Sequence, residues 1–223
     1  MNNDDENIID NLQKSGGDKF KEKMLKTIES YKNLSDEEKN CLHVYYGYGK
    51  GKTTSTLGLA VRAIGAGKKV IIIQFDKGYD GENEHYSERH ILRKLKELGY
   101  QVEIYPTGCE RMNPDGTFRF NNTPSDFDEA KRGLKLAEDL ITGGDMDLLI
   151  LDEAIAATAY NLLKKEEIEN LINLYKRNKR FELIMTGHKI WKFIEENADL
   201  ITEMRKVKHY FDKGIPAREG IEF

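Results

Sequence analysis

Short apolar runs alternate along this chain with longer segments in which apolar residues recur every three or four positions. The runs at 42–46, 70–75, 101–105, 147–151, 181–185 and 200–204 have strand length and branched or aromatic character. Between them, helical periodicity covers 53–64, 86–98, 126–141, 166–177 and 190–196. Leu57, Ala60, Val61 and Ile64 fall on one predicted helix face, and Phe127, Ala130, Leu134, Ala137 and Ile141 on another. Residues 113–124 carry Pro, Asp-Gly and Asn-Asn and predict a loop. Continuous apolar strands alternating with helices predict an α/β fold, with a mostly parallel sheet of about six strands flanked by helices on both faces.

Upstream of this alternation the pattern changes. Residues 1–17 show no periodicity and predict disorder. From 18 to 31, Phe20, Met24, Ile28 and Tyr31 form the stripe of an amphipathic helix. Ser35, followed by Asp36, Glu37 and Glu38, has the form of an N-cap and acidic first turn. The expected organisation is an acidic, partly disordered segment over 1–34 and a single domain over 35–223.

Composition narrows the partners. Of 223 residues, 39% are hydrophobic and 33% charged, with a net charge of −4. Asp4, Asp5, Glu6 and Asp10 account for that imbalance, so the remainder has no basic excess of the kind a nucleic-acid backbone requires. No run approaches the roughly 18 apolar residues that span a bilayer, and the acidic start is unlike a signal peptide. A cytoplasmic protein is expected. Cys41 and Cys109 stand far apart without metal-ligand spacing and read as thiols of a reducing compartment.

Chemistry concentrates at the first strand–helix junction, Gly47-Tyr48-Gly49-Lys50-Gly51-Lys52-Thr53-Thr54. Glycines let several backbone N–H groups turn inward around an anion, and the helix N-terminus adds partial positive charge. Lys52 supplies a full charge and the Thr53 hydroxyl a Mg²⁺ ligand. This is a phosphate-binding loop, one residue shorter than the usual spacing, and it makes the fold P-loop NTPase-like. The apolar run Leu148-Leu149-Ile150-Leu151 ends on Asp152-Glu153, two carboxylates that either complete a Mg²⁺ site with Thr53 or cap the next helix. Lys77, in Gln74-Phe75-Asp76-Lys77-Gly78, stands at the same rim and either reaches a ligand or is solvated.

The C-terminal stretch goes further. Thr202-Glu203-Met204-Arg205, Val207-Lys208-His209, Phe211-Asp212-Lys213-Gly214-Ile215 and Gly220-Ile221-Glu222-Phe223 closely resemble the ending of P-loop-type ATP:corrinoid adenosyltransferases. The short loop, the Gln74–Gly78 segment and Leu151-Asp152-Glu153 are similar to motifs of the same family, so the resemblance runs from about residue 42 to the end. It implies that cobalt(I) of a cobalamin or cobyrinic acid a,c-diamide attacks the ribose 5′ carbon of ATP and that triphosphate leaves whole. Gly47, Tyr48, Gly49, Lys50, Gly51, Lys52, Thr53 and Thr54 would hold the nucleotide, with Lys52, Thr53 and Glu153 as catalytic residues. Thr53, Asp152 and Glu153 would hold Mg²⁺, or Mn²⁺ in its place. Lys77, Arg205, Lys208 and His209 would contact ATP or the corrinoid. A reductase or flavodoxin-like electron donor and a homodimer are further implications.

The chain departs from that family in one loop. Where the family carries Gly-x-Gly-Phe-x-Trp, residues 107–120 have no Trp, and the chain's single tryptophan is Trp191. Phe118 and Phe120, or Met112, are expected to supply the missing cover for the corrin, unless they pack the loop onto the core. Ala154-Ile155-Ala156-Ala157 is apolar where the family is commonly polar, and Arg218 stands where it often has Gln. The N-terminal helix either closes over the corrinoid as a lid or docks on the domain or a second subunit. Two other readings use the same phosphate loop: an ATPase with Glu153 activating water, and a corrinoid carrier without catalysis.

Overall fold

A computed structural model describes residues 16–78, 84–113 and 117–223. Two compact units are present, one ending at Lys39 and the other spanning Asn40–Phe223. The first holds α1 (Gly16–Lys32) and the short α2 (Asp36–Lys39). The predicted disorder at 1–15 lies outside the described residues, whereas Gly16 and Gly17 begin the helix rather than precede it. Ser35 caps α2 as expected: its hydroxyl accepts the Glu38 N–H, and Glu38 accepts the Ser35 N–H.

The second unit runs β1 (Leu42–Tyr46), α3 (Lys52–Gly65), β2 (Val70–Gln74), α4 (Glu88–Glu97), β3 (Val102–Pro106), α5 (Pro124–Gly143) and β4 (Leu148–Asp152). It continues through α6 (Ala156–Ala159), α7 (Lys165–Arg177), β5 (Glu182–Gly187), α8 (Lys192–Asn197), β6 (Leu200–Glu203) and a 3₁₀ turn, Tyr210–Lys213. The strands form one sheet in the order β3-β2-β4-β5-β1-β6, and every pairing is parallel. Such connections need crossover helices, which accounts for the alternation in the sequence.

Side-chain alternation divides the core between the sheet faces. Leu42, Val44, Ile71, Ile73, Leu149, Leu151, Leu183 and Met185 pack with α5, α7 and α8. Val70, Ile72, Leu148, Ile150 and Ile184 pack on the other face with Ala60 and Ile64 of α3 and Leu92 of α4. Central strands β2 and β4 are buried throughout, which is why they read as unbroken apolar runs. Edge strand β6 is exposed along its length.

Two predicted helix faces are displaced. In α3 the buried row is Lys52, Thr56, Ala60 and Ile64, while Val61 is 56% exposed. The polar start of the helix sets this rotation, because Thr56 donates its hydroxyl to the Thr53 carbonyl at 2.8 Å and Lys52 turns into the preceding loop. In α5, Phe127 is 41% exposed and Asp126 takes the buried position. Asp126 accepts both the N–H and the hydroxyl of Thr123, and it pairs with Arg119 at 2.7 Å.

Two helix-interior glycines separate backbone propensity from packing. A β-carbon at Gly58 meets nothing within 4 Å, whereas one at Gly133 would lie 2.7 Å from Thr107 Oγ1 and 2.9 Å from Phe75 Cε1. Gly58→Ala is therefore expected to stabilise the fold by about 0.5–1 kcal/mol, and Gly133→Ala to destabilise it by about 1–3 kcal/mol. Equilibrium denaturation in urea reads both.

Candidate functional site

The carboxyl ends of β1, β2, β4 and β5 converge on one rim. At the end of β1 the chain enters the phosphate loop, where Gly47 and Gly51 hold φ of 113° and 118°, a region that L side chains avoid. A second constraint comes from the segment after β6. The Gly49 N–H donates to the Met204 carbonyl at 2.6 Å, and a β-carbon at either Gly47 or Gly49 would lie 2.5 Å from that oxygen. The loop thus lies flat against Met204 and Arg205, and this close approach requires glycine twice.

The predicted loop residues divide between several tasks. Lys52 is buried and donates to the carbonyls of Gly47 and Gly49 at 2.8 and 3.1 Å. Lys50 points to the C-terminal segment instead, meeting the Ile221 carbonyl at 2.7 Å and Glu222 at 2.6 Å. Tyr48 is exposed and stacks on His188 with ring centroids 5.5 Å apart. Tyr160 meets the same imidazole edge-on. Burial and the charge of Lys52 push the His188 pKa down, which favours the neutral ring.

The acidic strand tip and Lys77 form the centre of the rim. Thr53 Oγ1 lies 3.1 Å from both oxygens of Asp152. Lys77 Nζ sits between them, 2.6 Å from Asp152 Oδ2 and 3.0 Å from Thr53 Oγ1. Burial pulls the Lys77 pKa down, but the carboxylates of Asp152 and Glu153 more than offset this and hold the ammonium charged. A cation therefore occupies the place where these oxygens would hold a metal. Thr53 and Asp152 are hard oxygen donors of the kind a Mg²⁺ site uses, and the Lys77 ammonium lies between them.

Glu153 follows at φ 61°, outside the range usual for a non-glycine residue. Its N–H donates to Thr186 Oγ1 at 2.7 Å, and the Thr186 hydroxyl donates to Asp152 at 2.9 Å. The strained turn brings Glu153 round to line two clefts. Burial first, then the Asp152 charge, push its pKa up to about 6.

Behind Lys77, a fully buried arginine holds the turn. Arg89 of α4 donates to Gln74 at 2.6 Å, to Glu84 at 2.8 Å and to the Lys77 carbonyl at 2.8 Å. A β-carbon at Gly78 would come within 2.1 Å of the Cys109 backbone, so this turn packs directly on the 107–120 loop. That loop is tied down by Arg111, which donates to Asp76 at 2.6 Å and to Asn122 at 3.0 Å. Met112 and Phe118 form an isolated bridge; residues 114–116 of the predicted loop lie outside the described residues. Phe118 and Phe120 meet edge-on and remain 46% and 84% exposed, so they do not pack into the core.

Two clefts open on this rim. The larger, about 480 Å³, is bordered by Thr53, Thr54 and Leu57 on one side and by Gly220–Phe223 on the other. The smaller, about 190 Å³, is lined by Phe118, Phe120, Tyr160, Ala156 and Ala157 with Arg111 and Asp76. Lys77, Tyr86 and Glu153 belong to both.

Comparison with known proteins decides the family. Residues 38–223 match the model of the ATP:corrinoid adenosyltransferase family BtuR/CobO/CobP. The chain belongs to this family. It is 33% identical over 189 residues to the corrinoid adenosyltransferase of Escherichia coli K12, covering 85% of this chain and 88% of that protein. Corrinoid adenosyltransferases of Pseudomonas aeruginosa and Salmonella typhimurium are 32% and 30% identical, over 84% and 91% of this chain and 85% and 95% of theirs. Among solved structures, the flagellar accessory protein FlaH of Methanocaldococcus jannaschii is similar at 15% identity and a TM-score of 0.49, covering 73% of this chain and 70% of that one. A likeness of that degree says nothing about activity.

As a corrinoid adenosyltransferase, the chain is a transferase whose substrates are ATP and a corrinoid. Its C-terminal motif residues have distinct places. Arg205 follows the carbonyl that contacts the phosphate loop. Lys208 is exposed, and His209 is engaged locally, accepting the Phe211 N–H at 3.1 Å to cap the 3₁₀ turn. Tyr210 donates its hydroxyl to Glu222, so the turn holds the segment that Lys50 also grips. Arg89, Tyr86, His188 and Tyr160 had no motif to mark them. An arginine in an amphipathic helix reads as solvated, and the aromatic residues as core.

Two predictions test this centre. Replacing Lys77 by Met removes the resident cation, so Mn²⁺ titrated into nucleotide-free protein and followed by electron paramagnetic resonance is expected to bind at least about tenfold tighter. Glu153 has a raised pKa, so the folded state binds more protons than the unfolded one and loses stability as pH rises from the ordinary carboxylate range through about 6. Glu153→Gln removes that loss: its melting temperature is expected to match wild type near pH 4 and exceed it at pH 8.

Proposed function

We propose that ATP lies in the larger cleft with its phosphates in the glycine loop, and that the corrinoid lies in the smaller one against Phe118 and Phe120. The observation that carries this reading is the shared wall: the two clefts meet at Lys77, Tyr86 and Glu153. A nucleotide and a second, partly apolar ligand would therefore face each other across the cation site, as transfer between them requires.

In this reading the cobalt(I) electron pair forms the bond to the ribose 5′ carbon, and the bond from that carbon to the triphosphate oxygen breaks with its pair on the oxygen. The chain's task is to hold the two partners in line and to stabilise the charge that gathers on the leaving group. Lys52 leaves its two loop carbonyls to meet phosphate oxygens, and the N–H groups at the start of α3 point at the same charge. Thr53 and Asp152, with Glu153 beside them, would hold Mg²⁺, which neutralises triphosphate charge when bound. Lys77, displaced from Asp152, is left free to pair with a phosphate. His188, Tyr48 and Tyr160 form an aromatic wall at the loop's outer edge. Reduction of the corrinoid belongs to a separate reductase or flavodoxin-like donor, and the working unit is a homodimer.

The wholly apolar Ala156 and Ala157 suit this reading, because both line the smaller cleft, where a corrin ring needs apolar cover rather than polar partners. Phe118 and Phe120 supply the aromatic cover from the opposite side.

Anaerobic incubation of the protein with Mg-ATP and chemically reduced cob(I)alamin is expected to give adenosylcobalamin and intact triphosphate in equal amounts. Production of ADP and phosphate with untouched cobalt(I) would show a hydrolase instead. Phe118→Ala combined with Phe120→Ala is expected to raise KM for the corrinoid at least about tenfold and leave KM for ATP within about twofold. An unchanged corrinoid KM would remove these residues from the site.

A further inference from the structure

A second group of ligand-type side chains lies at the opposite, amino-terminal end of the sheet. Cys41 immediately precedes β1 and His43 is its second residue, so strand alternation sets both on one face. The parallel register pairs Leu42 with Leu183, which brings Glu182 of β5 alongside Cys41. A thiol sulfur, an imidazole nitrogen and a carboxylate oxygen from these three residues all lie within 4.8 Å of one another. The sequence hid this cluster, because Cys41 and Glu182 are 141 residues apart.

The contacts in place leave His43 incompletely satisfied. Glu182 Oε2 accepts the Cys41 N–H at 3.0 Å and lies 3.3 Å from His43 Nε2. The other ring nitrogen, Nδ1, is buried with no partner among the described residues, so the carboxylate serves only half of the imidazole. Asp199 at the foot of β6 adds a second carboxylate, held by the Leu42 N–H at 2.8 Å and by Lys179 at 3.2 Å. Burial, and then Glu182 and Asp199, push the Cys41 thiol up, with Lys179 pulling the other way.

We propose that Cys41, His43 and Glu182 bind a divalent transition-metal ion of the zinc class. The donor set chooses the metal: thiolate and imidazole disfavour Mg²⁺ and Ca²⁺ and favour a borderline-soft ion. Around such an ion, bonds of roughly 2.0–2.3 Å place tetrahedral ligand atoms roughly 3.3–3.8 Å apart, a contraction that side-chain rotation supplies. Binding takes the proton from the Cys41 sulfur and releases it to solvent. Three protein ligands leave one position for water. The ion would link β1 to β5 at their feet, a strand length of about 16 Å from the phosphate loop, and so is separate from the Thr53–Asp152 centre.

Cobalt(II) serves as the probe. Full-length protein freed of metal by a chelator is titrated anaerobically with Co²⁺. One equivalent is expected to produce a thiolate-to-cobalt charge-transfer band with the visible absorption of a tetrahedral site, bleached by Zn²⁺. Cys41→Ser is expected to abolish the charge-transfer band and His43→Ala to weaken Co²⁺ binding at least about tenfold, while Cys109→Ser leaves the spectrum unchanged; far-UV circular dichroism confirms that each variant is folded. Absence of the band from folded wild type, or its survival in Cys41→Ser, overturns the proposal. Glu182→Gln separates the third ligand: the thiolate band is expected to persist with affinity lowered at least about tenfold, and unchanged affinity would remove Glu182 from the site.

Discussion

The contact between Lys77 and Asp152 is where the parts of this molecule meet. It joins the end of β2 to the end of β4, and Thr53 brings in the helix that follows β1. Three segments remote in sequence thus place one ammonium and two kinds of oxygen in a space of about 3 Å. A buried charge pair of this kind is tolerable only when its remaining hydrogen bonds are made. Thr186 of β5 completes the set by donating to Asp152. The parallel sheet makes this possible, since it delivers four strand ends to one rim without any chain having to turn back.

Around that contact the protein holds its geometry with buried arginines and one close backbone approach. Arg89 grips the Lys77 carbonyl from beneath, Gly78 lets the turn touch the Cys109 backbone, and Arg111 clamps the next loop to Asp76. The aromatic pair Phe118 and Phe120 is therefore presented from an anchored loop, although both residues stay exposed. Their exposure makes sense if a large, flat ligand covers them, and none of the buried core would be disturbed by its departure.

Much of the architecture could be read from the amino acids, for a physical reason. Strands buried on both faces must be continuously apolar, as β2 and β4 are, and the helices between strands must carry a stripe, so most of the sheet domain announced itself. Helix rotation was less legible: Val61 and Phe127 lie outward because Thr56 and Asp126 spend the buried positions on local hydrogen bonds. Lys52, Thr53, Asp152, Glu153 and Lys77 were visible through motif and strand position. Lys50 and His209 carried the same motif signal but are held by Glu222 and by the Phe211 N–H. What escaped altogether was tertiary pairing, such as Arg89 with Gln74, or Cys41 with Glu182, which no local pattern encodes.

The sheet order has a consequence for how the protein comes into being. β1, which carries the phosphate loop, pairs with β5 and β6, and the loop itself rests on the Met204 carbonyl. During synthesis, at roughly 5–20 residues per second, the glycine loop leaves the ribosome many seconds before any of those partners exists. β2, β3 and β4 can assemble meanwhile, but the glycine loop has nothing to lean on until β5, β6 and Met204 have been made. The earliest strand of the sheet to be made is thus the last to find its partners, and the glycine loop settles only after Met204 has been added.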